Sequence, residues 1–246
     1  GLDIGKEPFN GVHFREVFKG KEGKIRARVV VVAAGPWTEE LFKLHSEPGP
    51  AIRPTKGVHL VFHENRLKVN NVLAVPTSDK RIIFMVPLEQ FTYVGTTDTD
   101  YSGSLDKVLV EAADVDYLLD VLNNCFPSVK LGPHDIVSSW AGLRPLIMEE
   151  GDPSKVSRDY YIGLYDDGLA AIAGGKLTTH RTMAQNLIDQ VLQRYTHLLQ
   201  GEYQPCTTDE VSLTGGEMID YASYLQVQSL GLKSRWGLSL RSIEHL

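Results

Sequence analysis

Cysteine is scarce in this chain of 246 residues: Cys125 and Cys206 are the only two, far apart and not in C-x-x-C spacing. That argues against a disulfide-stapled secreted scaffold and points to free thiols in a reducing compartment, the cytoplasm. Long apolar runs are missing too. The longest, residues 29–34, is strand-sized and well short of the ~18 residues a membrane span needs. Nothing at the start reads as a signal peptide, and the chain opens on Gly1 rather than Met, which reads as an excised fragment. Positive charge is in deficit, with 25 Lys+Arg against 31 Asp+Glu and a net charge of −6. A general nucleic-acid binder is therefore excluded, and any anionic ligand must be held by a local basic cluster. No repeat, low-complexity segment or G-x-S-x-G elbow occurs, so a Ser-His-Asp or Cys-His triad has no footing.

What is present is an ordinary globular composition, 42% hydrophobic and 23% charged, enough to bury a sizeable core. Residues 12–18 and 24–32 read as strands, the second ending in a continuous apolar run suited to burial on both faces. Pro36 suits the first turn of a short helix over 38–44. Residues 46–50 form a Pro/Gly linker. Beyond it, strand patterns at 57–62, 72–75, 82–87 and 91–95, separated by turn residues, predict an antiparallel sheet. The clearest helix spans 107–126, with apolar residues at three- and four-residue steps, Asp106 as N-cap and Pro127 as terminator. Strands return at 136–143, 160–164 and 169–173. Gly174 and Gly175 then lead into a long helix carrying Met183, Leu187, Val191 and Ala184, Ile188, Leu192, Tyr195 on one face, followed by a helix over about 217–230.

Three constellations carry chemistry. A short apolar strand running through Gly174-Gly175 into a helix aims unpaired N–H groups and a positive dipole end at its ligand, an anion or a carbonyl; equally, the glycines could simply permit a tight turn. A P-loop is excluded, because Ala170 and Leu177 stand where it needs Gly and Ser/Thr. His59 and His63 form H-x-x-x-H, but strand geometry parts them by roughly 13 Å, so no metal site is expected. Finally, Arg53, Lys56, His59, Arg144, Arg158, Lys176 and Arg181 lie in apolar or Gly-rich contexts. Each alone could serve an internal ion pair; together, in an acidic chain, they suggest a phosphate or carboxylate site.

Six segments bear a family resemblance: residues 28–37 (RVVVVAAGPW), 52–59 (IRPTKGVH), 94–98 (VGTTD), 140–146 (WAGLRPL), 157–159 (SRD) and 174–181 (GGKLTTHR). In this order the set resembles FAD-dependent glycerol-3-phosphate dehydrogenases and the related glycerol-phosphate oxidases, over about residues 10–198. The resemblance implies a mixed α/β and α+β fold: a partial Rossmann-like FAD-binding domain (1–49 and 164–200) with an inserted antiparallel-sheet substrate domain (50–163). Residues 201–246 would begin a helical C-terminal domain. The family's G-x-G-x-x-G fingerprint and its ribose-binding acid are absent here, and His180 stands where many relatives carry Tyr.

For the intact enzyme the resemblance implies oxidation of sn-glycerol 3-phosphate to dihydroxyacetone phosphate, with hydride passing from C2 to flavin N5. It makes His59 the candidate base and Arg144 the group polarising the C2 oxygen. Arg158 and Lys176 would hold the phosphate. Gly35, Gly174, Gly175, Leu177 and Thr178 would approach the FAD through backbone. The electron acceptor, quinone or oxygen, is left open, as are a homodimer and a peripheral contact with the cytoplasmic membrane. Two rival readings stand beside this one: an FAD-dependent amino-acid or amine oxidase, and a non-catalytic ligand-binding fragment.

Overall fold

The computed structural model of the protein describes residues 2–3, 10–148, 156–157, 159–199, 201–217, 220–237, 239 and 242. Residues 1–200 form one compact unit and 201–246 a second.

The first unit opens with β1 (Leu2–Asp3), β2 (Asn10–Arg15) and β3 (Glu22–Ala27), a three-stranded antiparallel sheet. One strand was expected over 24–32, but the chain leaves this sheet at Ala27. It re-enters a different sheet as β4 (Val30–Val32), parallel to a later strand. The break falls where exposed, charged residues give way to valines. Val30 and Val32 are buried while Val31 is exposed, so β4 is covered on one face rather than the two expected. A 3-10 turn over Gly35–Trp37, with Pro36 in its first turn, leads into α1 (Thr38–Phe42).

The largest sheet follows. It comprises β5 (Ile52–His63), β6 (Leu73–Pro76), β7 (Ile82–Leu88), β8 (Phe91–Gly95) and the short β9 (Thr99–Asp100). The helix α2 (Ala112–Cys125) crosses next, and β10 (Ile136–Met148) and β11 (Val156–Ser157) complete the sheet. Its order is β11-β10-β5-β8-β7-β6, with β9 beside β5, and every pairing is antiparallel. Alternate residues of β5, β7 and β8 bury Val58, Leu60, Phe62, Ile83, Met85 and Val94 against Leu118, Leu119 and Leu122 of α2. Each such side chain contributes roughly 1.5–3 kcal/mol of transfer free energy.

The helix α2 starts five residues later than its periodicity suggests. Glu111 is the N-cap, and the Asp114 carboxylate accepts its backbone N–H at 3.0 Å. Asp106, expected as the cap, instead accepts the indole N–H of Trp37 at 2.9 Å. The reciprocal cap wins because the buried Lys56 ammonium sits 2.7 Å from both Glu111 and Asp114, pinning that turn to β5. Burial opposes the Lys56 charge, but its hydrogen bonds to these carboxylates outweigh that and raise its pKa.

The unit closes with β12 (Tyr160–Leu164), β13 (Leu169–Gly174) and α3 (His180–Arg194). The sheet order is β12-β13-β4. Leu187, Val191 and Tyr195 pack on Ala170, and the Tyr195 hydroxyl donates to the carbonyls of Tyr165 and Leu169. Of the other expected stripe, Ala184 and Ile188 are exposed. In the second unit, α4 (Tyr221–Trp236) begins four residues later than expected. Its N-cap is Asp220, which accepts the N–H groups of Ala222 and Ser223, and it ends at Gly237 in a left-handed conformation.

Candidate active site

Alternation along β5 places His59 on the face of the large sheet opposite the α2-packed core, between Val58 and Leu60, which point into that core. Its cross-strand neighbours are Gly95 on β8 and Trp140 on β10. The Trp140 indole stacks on the imidazole, with centroids 4.9 Å apart and planes within 13°. Gly95 is required beside it, since a Cβ there would come within 2.3 Å of the ring. Nδ1 of His59 is buried with no hydrogen-bond partner, an orphaned polar atom of the kind that marks a site awaiting something. Burial, and then the positive charge of Arg144, push the imidazole pKa below its ordinary value. His59 is therefore neutral near pH 7, with a lone pair to offer.

Arg144 lies on the same face, four residues along β10 from Trp140. Its guanidinium donates to the Thr96 hydroxyl at 2.9 Å, the Thr97 carbonyl at 3.2 Å and the Asp98 carboxylate at 3.3 Å. It lies over Gly57, where a Cβ would meet it at 2.6 Å. The fork is thus fixed by the loop that follows β8 and by a glycine that lets it approach the strand. Between the His59–Trp140 stack and Arg144, Gly57 and Gly142 face each other across β5 and β10.

The turn after β13 abuts this sheet. Gly174 and Gly175 both have φ near +76°, a region that favours glycine, and a Cβ on Gly174 would strike Ile147 of β10 at 2.7 Å. Lys176 caps a 3-10 turn over Leu177–Thr179 that runs directly into α3. The N–H groups of Leu177 and Thr178 open this helical segment, where no in-helix carbonyl reaches. The Leu177 side chain is 86% exposed, an apolar group standing in the open at this turn. Gly35, with φ +55° and free space where a Cβ would go, sits at the corresponding turn after β4, the strand parallel to β13. Two glycine turns at the ends of parallel strands, each running through a 3-10 turn into a helix, suit the flat, carbonyl-edged face of a flavin.

The other cations separate. Arg53 is bound to Asp100 through two contacts, Lys56 is buried in its acidic pair, and Arg181 donates to Gln185 at 3.0 Å. These are structural roles. Lys176 is exposed at the glycine turn. Arg158 lies outside the described residues. Among the described residues no group of His, Cys, Asp and Glu could hold a metal. Sequence reasoning missed Trp140, Thr96 and Asp98 as site residues. Trp140 was findable, because a step of two along the strand from Arg144 through Gly142 leads to it. The Thr96–Asp98 anchor was not, because it depends on how the loop after β8 folds back.

The open sheet face with its fixed guanidinium and desolvated imidazole thus abuts the glycine turn after β13. Residues 6–181 match the model of the family described as FAD dependent oxidoreductase, and the chain belongs to that family. Within it, the chain is 42% identical over 210 residues to the aerobic glycerol-3-phosphate dehydrogenase of Bacillus subtilis, covering 85% of this chain and 38% of that protein. It also resembles the structure of glycerol-3-phosphate dehydrogenase from Bacillus halodurans complexed with FAD. The TM-score is 0.81 at 33% identity, covering 98% of this chain and 47% of that one. Glycine oxidase from Bacillus cereus shares the fold alone, with a TM-score of 0.52 at 18% identity. The chain thus spans less than half the length of these glycerol-3-phosphate dehydrogenases.

Proposed function

We propose that this chain contributes the substrate-facing sheet and one flavin-facing turn of an enzyme that oxidises sn-glycerol 3-phosphate to dihydroxyacetone phosphate. The observation that carries the reading is the pairing, on one open face, of a desolvated His59 with an Arg144 fixed by the residue 96–98 loop. Both residues lie in the segments 52–59 and 140–146, whose sequences resemble glycerol-3-phosphate dehydrogenases.

Bound FAD would supply the acceptor for the C2 hydride. The residues do the rest. His59, neutral at working pH, takes the proton of the C2 hydroxyl. Arg144, unable to reorient without breaking three hydrogen bonds, stabilises the oxygen as charge develops on it. Lys176, and Arg158 with it, hold the phosphate; both are cations in a chain of net charge −6, where only local charge can attract an anion. Gly35, Gly174, Gly175, Leu177 and Thr178 face the FAD through backbone. The division of the chain at residues 49/50, 163/164 and 200/201 into flavin, substrate and C-terminal parts belongs to the same proposal. An amino-acid oxidase would need fewer cations at its carboxylate; the basic set, the Gly-Gly-Lys-Leu-Thr-Thr run at 174–179 and the identity to glycerol-3-phosphate dehydrogenases favour the phosphate.

No helix among the described residues is long and apolar enough to cross a membrane. A cytoplasmic enzyme touching the membrane surface follows if the acceptor is a quinone; with oxygen no such contact is needed. His59→Gln is the direct test. It keeps size and hydrogen bonding but cannot titrate, so flavin reduction should slow by about 10²–10⁴ with substrate affinity little changed. Near wild-type reduction would remove His59 as the base.

A further inference from the structure

Gly57 and Gly142 face each other across β5 and β10, yet the structure explains only one of them. Gly57 is needed because a Cβ there would collide with the Arg144 guanidinium and the Thr96 hydroxyl, both at 2.6 Å. A Cβ on Gly142 meets nothing within 4 Å, and its φ lies outside the left-handed region, so any L-residue fits the backbone. Glycine weakens a strand interior through its extra unfolded-state freedom and the lack of a side chain to pack. A strand glycine with no internal need marks the close approach of something else. It also sits mid-strand, on the face that carries His59, Trp140 and Arg144, and is itself exposed.

We propose that Gly142 is the floor of the substrate seat and a determinant of what it admits: a slot closed at one end by the His59–Trp140 stack and at the other by Arg144. Four residues of extended chain separate Trp140 from Arg144, roughly 13 Å. The walls are a flat aromatic stack and a charged fork, which suit a short hydroxylated chain bearing an oxyanion. This rests on the glycerol 3-phosphate reading above, and it adds that the three-carbon backbone of the substrate lies against the bare Cα of Gly142. The seat would therefore be set by the missing side chain as much as by the polar groups.

The test is Gly142→Ala and Gly142→Val in the intact FAD-loaded enzyme, with three readouts: melting temperature, FAD content, and equilibrium binding of glycerol 3-phosphate to the oxidised flavoprotein. Melting temperature and FAD content should hold or rise slightly. Glycerol 3-phosphate should bind progressively more weakly, reaching about ten- to a hundredfold for Val, the scale of overpacking a filled site. Unchanged binding by Gly142→Val, when wild type binds normally, overturns the slot and leaves the substrate reading standing. Loss of FAD with unchanged substrate binding also overturns it, because the space then belongs to the cofactor. Lowered melting temperatures in both variants overturn it by showing an internal need for glycine. A wild type that fails to bind glycerol 3-phosphate overturns the substrate reading itself.

Discussion

The two faces of the large sheet are made by the same strands and do opposite things. Odd and even positions of β5 diverge: Val58, Leu60 and Phe62 are fully buried under α2, while His59 stands half-buried on the other side beside an exposed Trp140. The α2 face is mainly apolar and interlocked, and its buried Lys56 is held by Glu111 and Asp114. The opposite face keeps exposed Phe84 and Ile82, a bare Gly142 and an orphaned imidazole nitrogen. A strict period of two lets one strand serve stability on one face and chemistry on the other, so neighbouring substitutions should fall into different classes.

The largest expected effect that tests this division is on the closed face. Phe62→Ala should cost about 3–5 kcal/mol of unfolding free energy, since the residue is completely buried against α2. Urea denaturation reads it directly, and in the intact enzyme the KM for glycerol 3-phosphate, the substrate proposed above, should stay put. If KM rose as much as stability fell, the faces would not be independent.

Next come two lysines that look alike in sequence. Lys56→Ala should cost about 3 kcal/mol of stability, because Asp114 is left buried without its cation. The Michaelis constant should not move. In the intact enzyme, with Lys176 holding the phosphate as proposed, Lys176→Ala should leave stability alone and lower kcat/KM for glycerol 3-phosphate by about one to two decades, the loss of one charge-assisted bond. Glycerol, lacking the phosphate, should hardly feel it. Steady-state kinetics on the two substrates, with a melting curve for each variant, separate the lysines; equal losses for both substrates would free Lys176 from the phosphate.

These contrasts also show what could be read from the chain unaided. The sheet of β5 to β8 was legible, because short alternating segments between turn residues leave little other choice. The strand, glycine pair and helix around residue 174 were legible too, through the conformational demand of adjacent glycines. The true start of α2 was not. It depends on Lys56 reaching across from β5 to Glu111 and Asp114, a contact 55 or more residues apart in sequence that no local propensity encodes. The same holds for Arg144, whose position in the motif was visible but whose anchoring by Thr96, Thr97 and Asp98 needed the folded loop. Sequence pattern found the residue types; long-range pairing decided which cations were structural.

The smallest effect is a pH dependence, and it separates the faces without any substrate. The His59 pKa is lowered from the ordinary 6.5 by burial and by Arg144. The unfolded chain therefore binds more protons at this site than the folded one between the lowered value and about 6.5. Stability must then rise with pH across that window. Above it both forms are neutral, and the site adds no pH dependence. As pH falls through the window, the unfolded state protonates first and stability is lost, until the folded site also takes a proton. His59→Gln abolishes this slope, so the variant should gain on wild type as pH falls from 8 to 5.5. Paired denaturation midpoints at the two pH values measure the difference. A His59 variant that tracks wild type would mean that the imidazole is already solvated, and that the open face does not press on it as its stack against Trp140 indicates.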